Sequence, residues 1–283
     1  MKTLYLTSIY TKLWGTDLGG RTSREHHYKW SLLNILKTKP TKVICFTSEE
    51  DLAELHAWFY HIHKIEKEQL EFRVYNLYNC EHYDLIQRNK DVEFVKSHDR
   101  CHEIQYMKFF WSRLIEDRHD YDRLYWIDAG LSHGGLFPEK YMMGDQWERH
   151  FLISLFTPKL LSKWNDASKD KVVMFSKNND ERYFWSQTLP QSYYNEYDRS
   201  RHIIGGMFGG TPEAYDTLTT RFEELLLTLL DKENELYHEE LILSCMAVNT
   251  PEKYNLLKFD DWYARDEWAH EGIDNILFYH LFI

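Results

Sequence analysis

Arg123-Leu124-Tyr125-Trp126-Ile127-Asp128-Ala129-Gly130 is the stretch that decides the fold of this chain. A charged segment runs directly into a short apolar run, which stops at one acid followed by a small residue and a glycine. A short apolar run bounded in this way reads as a strand buried on both faces, as strands of parallel sheets are. The carboxyl ends of such strands face the crevice where open α/β sheets bind ligands, so an aspartate there points toward a ligand. Ala129-Gly130 leaves room for a bulky group to approach the backbone. The same aspartate could instead cap the following turn, and the rest of the chain has to separate the two readings.

Working outward, residues 2–9 alternate apolar and polar and read as a first strand. A loop from Thr11 to about Ser23 follows, and its length and its glycines, Gly15, Gly19 and Gly20, suggest a functional loop. Glu25 to Leu36 has helical spacing and ends before Lys39-Pro40. Lys42 to Thr47 is a continuous apolar run suited to a buried parallel strand. Ser48-Glu49-Glu50-Asp51 then opens a helix expected to reach about Ile65. Phe72 to Leu77 reads as a third strand, and Glu103 to Glu116 as the clearest helix, with Ile104, Met107, Trp111, Leu114 and Ile115 recurring on one face. Lys171 to Phe175 is a fifth strand, and Thr217 to Leu230 and Tyr237 to Met246 are helices. Alternating strands and helices predict an α/β fold with a mostly parallel central sheet flanked by helices. One domain over residues 1–283 is expected, its second half the more irregular.

The 283 residues carry a formal charge of −11, 28% charged residues and a mean hydropathy of −0.60. Such an acidic chain lacks the basic footprint of sequence-independent nucleic-acid binding, and it is poorly suited to an anionic membrane surface. No run approaches the roughly 20 apolar residues of a membrane span. The alternating first ten residues do not read as a signal peptide, and a cytoplasmic location is the expectation. Cys45, Cys80, Cys101 and Cys245 form no Cys-x-x-Cys pair, so reduced, buried thiols are expected. Aromatic residues make up 16%, with 20 Tyr and 10 Trp, a composition that fills cores and also stacks on bases and sugars.

Four constellations could carry chemistry. Asp128 could hold a hard cation such as Mg2+ or Mn2+ together with a diphosphate, since such ions prefer carboxylate and phosphate oxygens. Gly205-Gly206-Met207-Phe208-Gly209-Gly210 precedes Thr211-Pro212-Glu213, a capped helix start. Its glycines permit close backbone approach to a ligand; the alternative is a strand with a bulge. Tyr237-His238-Glu239-Glu240 opens a later helix, where one carboxylate could act as a general base or simply favour the helix N-terminus. In the first loop, Arg21 could offset phosphate charge and Tyr28 could stack on a base, or both could belong to a solvated surface. Histidine pairs such as His26-His27 and His61-x-His63 diverge on a helix and suggest no metal site. His270 could lie near a site at the C-terminus.

The order of these motifs resembles glycosyltransferases of the GT-A fold and, more closely, the HtrL/YibB family of bacterial proteins. The similarity runs from about Met1 to Met246 and is most specific at Asp128 and at Gly205 to Tyr215. It implies a single GT-A-like (Rossmann-like) domain, with a nucleotide-binding half over about 1–130 and an acceptor-side half over about 131–283. It implies sugar transfer from a nucleotide-diphosphate sugar, a UDP-sugar above others, to a glycan or other hydroxyl acceptor, in bacterial surface polysaccharide synthesis. Asp128 matches the first aspartate of the Asp-x-Asp motif and would hold Mn2+ or Mg2+, while Gly130 stands where the second aspartate would be. Arg21, Tyr28, Ala129, Gly130, Gly205, Gly206 and Phe208 would join Asp128 around the nucleotide sugar, Arg201 would add charge, and Glu239 or Glu240 would be catalytic. Two alternatives stay open on the same fold: nucleotidyl or phosphoryl transfer, and a carbohydrate-binding module without chemistry.

Overall fold

The computed structural model describes residues 1–11, 28–29, 31–33, 35–36, 40–89, 102–129, 165–178, 201–232 and 236–259. Arg21, Gly130, Cys101, His26, His27, His270 and the loop from residue 12 to 23 lie outside the described residues, as does the side chain of Arg201.

Among the described residues, seven strands form one sheet: β1 (Thr3–Ile9), β2 (Lys42–Thr47), β3 (Leu70–Val74), β4 (Arg123–Ile127), β5 (Val172–Asn178), β6 (Arg201–Gly210) and β7 (Tyr254–Phe259). Their spatial order is β3-β2-β1-β4-β6-β5-β7. The β1–β2, β1–β4, β2–β3 and β5–β7 pairs are parallel, and β6 runs antiparallel to both β4 and β5. Helices among the described residues are α1 (Glu49–His56), α2 (Tyr83–Asn89), α3 (His102–Phe110), α4 (Pro212–Lys232) and α5 (Glu239–Asn249), and residues 28–29, 31–33 and 35–36 are helical as well. The expected mixed α/β architecture with a mostly parallel sheet is the one observed.

Period-two alternation sends successive strand residues into two cores. Leu4, Leu6, Leu124, Trp126, Met174 and Phe208 pack under α3, α4 and α5. Tyr5, Tyr125, Ile127, Val173 and Met207 pack on the other face with Leu32, Leu33, Leu36 and Leu55. Two covered faces explain why β2 and β4 read as nearly unbroken apolar runs. Cys45, Cys80 and Cys245 are buried, and burial pushes the Cys45 thiol well up from its ordinary value.

Local chemistry moves several boundaries. The third strand starts two residues and ends three residues earlier than the expected span. Asn76 ends it, because its side chain accepts from the Tyr78 amide at 3.0 Å and starts the short 3-10 turn Leu77–Asn79. The helix capped by Ser48 is α-helical only to His56 and continues as a π-turn, Ala57–Ile62, before Lys64 takes a positive φ of 55°. The helix from residue 102 tightens to 3-10 geometry over Trp111–Leu114. Strands β6 and β7 complete the sheet. β6 contains the glycine-rich segment for which a strand with a bulge is one of the two readings, and β7 carries no marked alternation.

At the carboxyl edge, buried Asp51 ties the chain leaving β1 to the start of α1. Its carboxylate accepts from the Thr11 amide at 2.9 Å, from the Thr11 hydroxyl, and from the Ser48 hydroxyl at 2.8 Å.

Candidate active site at the carboxyl edge of the sheet

The carboxyl ends of β1, β2 and β4 lie along one edge, and because β6 is antiparallel its amino half lies there too. Between Met174 and Phe175 of β5, the partner on β6 steps from Phe208 to Ile204. Gly205 to Met207 are therefore looped out of the β5 pairing, a bulge beside the end of β4. There the Asp128 amide donates to the Gly206 carbonyl at 2.8 Å.

Above this junction sits the N-terminus of α5. Glu240 accepts from the Gly205 amide at 2.9 Å. Glu239 is buried and reaches into a cluster centred on Lys108 of α3. The Lys108 ammonium lies 2.8 Å from Glu239 Oε1, 3.2 Å from both oxygens of Asp128 and 3.4 Å from the Gly205 carbonyl. Trp126 Nε1 donates to Asp128 Oδ1 at 2.7 Å, and the ammonium stands 5.9 Å from the centroid of the Trp126 ring. Burial draws the Lys108 pKa down, but the charges of Asp128 and Glu239 outweigh it and hold the ammonium above its usual range. Three segments far apart in sequence thus meet at one buried cation.

Asp128, Gly205, Gly206, Glu239 and Glu240, all singled out from the sequence, are brought together here. Of the two glutamates, Glu240 is the more exposed, while Glu239 is held by Lys108. Phe208 requires a correction. It is fully buried, stacked on Phe109 with centroids 4.9 Å apart and on Tyr215 at 5.8 Å, so it fills the core rather than facing a ligand. Ala129 is 2% exposed and belongs to the second core, against which the half-buried Tyr28 also packs.

Lys108 is the residue sequence reasoning missed. Its signal is a lysine inside Tyr106-Met107-Lys108-Phe109-Phe110, where the neighbours on every side are apolar. A helix buried all round gives a lysine no aqueous face, and a buried lysine requires carboxylate partners.

The divalent ion implied by the GT-A resemblance does not fit the described residues at Asp128. Oδ2 already accepts from the buried ammonium, which also lies 3.2 Å from Oδ1, Oδ1 accepts from an indole, and residue 130 is a glycine with no ligand atom in its side chain. Among the described residues, one other group, Glu81, His82 and Glu223, brings three ligand-type atoms within 4.8 Å of one another. Glu223 there is already bound to His82 at 2.8 Å and to Arg113 at 2.6 Å. A cleft of about 340 Å³ lined by Lys171, Thr211, Glu213 and Tyr254 opens at the opposite, amino edge of β5 and β7, away from these carboxylates.

No family model and no curated protein matches this chain. Among solved structures it is similar to mouse xyloside xylosyltransferase 1 in its apo form, with a TM-score of 0.50 and 8% identity over 98% of this chain and 92% of that one. It is also similar to the galactosyltransferase LgtC bound to donor and acceptor sugar analogs, with a TM-score of 0.49 and 9% identity over 89% of this chain and 72% of that one. A third similarity is to 4-diphosphocytidyl-2C-methyl-D-erythritol synthase of Anaerococcus prevotii, with a TM-score of 0.43 and 9% identity over 91% and 88%. At such identities the shared property is the fold. The class so defined is a GT-A-like α/β fold; among its described residues, the carboxylates of Asp128 and Glu239 meet the buried Lys108 at the carboxyl edge. No helix among the described residues is long and apolar enough to cross a membrane.

Proposed function

We propose that this protein is a glycosyltransferase that moves a sugar from a nucleotide-diphosphate sugar to a glycan or other hydroxyl acceptor. The observation that carries the reading is the convergence of Asp128, Gly205, Glu239 and Glu240 at the carboxyl edge, where ligands of open α/β sheets bind. The name of the mouse structure sharing this fold, a xylosyltransferase, supports the same reading. Residues 1–130 form the nucleotide-binding half and residues 131–283 the acceptor-side half, and the cluster draws side chains from both. In its finer form, which rests on the resemblance at Asp128 to Gly130 and Gly205 to Tyr215, the donor is a UDP-sugar. The acceptor is then a bacterial surface glycan assembled on the cytoplasmic side. Arg21 and Arg201 offset donor charge in that form.

Asp128 fixes the donor by accepting a hydrogen bond at the end of β4. Glu240 takes the proton from the acceptor hydroxyl if the reaction inverts, or supports positive charge developing on the sugar if it retains. Glu239 acts through Lys108, holding the ammonium at 2.8 Å and so beside Asp128.

Melting temperature against a panel of nucleoside diphosphates tests the proposal. A ligand at about 100 times its Kd adds roughly 2.7 kcal/mol, a shift of several degrees. One base is expected to stand out, and Asp128→Asn is expected to abolish its shift and lower turnover roughly 10²-fold. No shift with any nucleotide would remove the transferase reading. A second prediction concerns Gly205. A Cβ there would meet Glu239 Oε1 at 2.8 Å and Glu240 Cγ at 3.0 Å, side-chain rather than backbone atoms, so that relief comes from displacing the two carboxylates. Gly205→Ala should therefore cost only about 1–3 kcal/mol in stability while lowering turnover roughly 10²-fold through misplaced carboxylates. Unchanged turnover would detach these carboxylates from the chemistry.

A further inference from the structure

We infer that Lys108 takes the place of a divalent cation at Asp128, so that Asp128 is a hydrogen-bond acceptor for a donor hydroxyl and donor recognition needs no metal. Only the identity of the ligand in this statement rests on the transferase reading.

The ligand set around the ammonium is the first ground. Two carboxylates and a backbone carbonyl, from Asp128, Glu239 and Gly205, converge on Lys108 Nζ within 3.4 Å. That is the oxygen set a hard cation would otherwise collect. The ammonium stands equally far from both Asp128 oxygens, 3.2 Å, as a bridging cation would. A metal close enough to ligate Asp128 would lie beside a like charge.

Lys108 is also fixed there. Its side chain is 7% exposed, and it projects from a helix whose flanking residues Met107, Phe109 and Phe110 are all core. The Tyr215 hydroxyl donates to the Lys108 carbonyl at 2.7 Å and holds that turn of α3 in place. Withdrawing the ammonium to make space for a metal would leave the buried Glu239 carboxylate without this counter-charge and drag a cation through apolar surroundings. Residue identity agrees independently: position 130 offers no side-chain ligand.

An acceptor site nevertheless remains on Asp128. A carboxylate has about four lone-pair sites. Lys108 and Trp126 occupy part of them, and the Asp128 side chain is 26% exposed. A hydroxyl of a ribose or a sugar suits what is left, because it donates to a carboxylate without needing an intervening ion.

Mn2+ binding followed by electron paramagnetic resonance, with and without UDP, tests the inference on the parent chain, Asp128→Asn and Lys108→Met. The parent is expected to show no Mn2+ binding that Asp128→Asn removes, in either condition. Lys108→Met, which leaves the carboxylates and vacates the cation position, is expected to bind one Mn2+ at least about tenfold more tightly than the parent. A purely structural lysine would not confer metal binding when removed. Mn2+ bound by the parent, alone or with UDP, and lost in Asp128→Asn would overturn the inference. So would a folded Lys108→Met that gains no Mn2+. Should Lys108→Met not fold, the comparison of the parent with Asp128→Asn decides alone. The measurement without UDP needs no enzymatic activity. A failure to bind any nucleotide would therefore count against the transferase reading and leave the metal result standing.

Discussion

Gly209→Ala is expected to destabilise the fold by about 4 kcal/mol or more, in the range reserved for severe core changes. A Cβ at this position would lie 2.2 Å from the Leu124 carbonyl oxygen, 2.4 Å from Tyr125 Cδ1 and 2.7 Å from Tyr125 Cα. Two of these atoms are backbone of β4, paired with β6 through Leu124–Gly210 and Tyr125–Gly209. No rotamer change relieves the overlap, so the strands must separate at the centre of the sheet and disturb both cores. For a chain of this size each kcal/mol is worth roughly 2–4 °C, so a fall on the order of 10 °C in melting temperature is expected. A fall of less than a few degrees would show that β6 does not approach β4 as described. The contrast with Gly205→Ala is informative, because the obstructing atoms there belong to side chains. Two glycines that look alike in sequence serve different purposes, one for strand contact and one for the carboxylate cluster.

Lys108→Met should be nearly as costly. Methionine is one heavy atom shorter than lysine, so the substitution keeps most of the packing and empties only the ammonium position. It removes the ammonium from beside Glu239, which is buried with it, and from Asp128. Breaking a buried pair by deleting one partner costs roughly 3–5 kcal/mol, because the remaining charge stays desolvated. The sign can be checked by a rescue. Adding Glu239→Gln to Lys108→Met removes one of the stranded carboxylates and should recover more than half of the lost melting temperature. If the double variant melts no higher than the single one, the penalty is not electrostatic and the cluster has been misassigned. Glu239→Gln alone is expected to cost less than Lys108→Met, since the ammonium would keep Asp128 as a partner.

Much of this architecture is written in short-range patterns. The apolar runs at Lys42 to Thr47 and Arg123 to Ile127 announced buried strands, because a strand covered on both faces needs no polar alternation. Ser48 and the acids after it announced α1, and Thr211-Pro212 announced α4, whose first turn Thr211 caps by accepting from the Ala214 amide at 3.2 Å. Asp128 stood out as a candidate because the carboxyl end of a buried strand faces the crevice where open α/β sheets bind ligands.

Other features had no local signature. Whether Gly205 to Gly210 borders a ligand or pairs as a strand depends on β4 and β5, which lie more than 25 residues away in sequence, and only their pairing fixes β6 as antiparallel. Phe208 looked available to a sugar because a strand residue's face is undefined until the register is known. The sequence by itself determined the fold class, the strand-end aspartate and the acids that open α5, since each follows from neighbours within a few residues. Tertiary structure alone decided that Lys108, 20 residues before Asp128 and 131 before Glu239, sits between them. The reason is physical: a buried charge is tolerable only where the fold delivers its opposite, and which residues meet there is a property of the packed chain rather than of any local pattern.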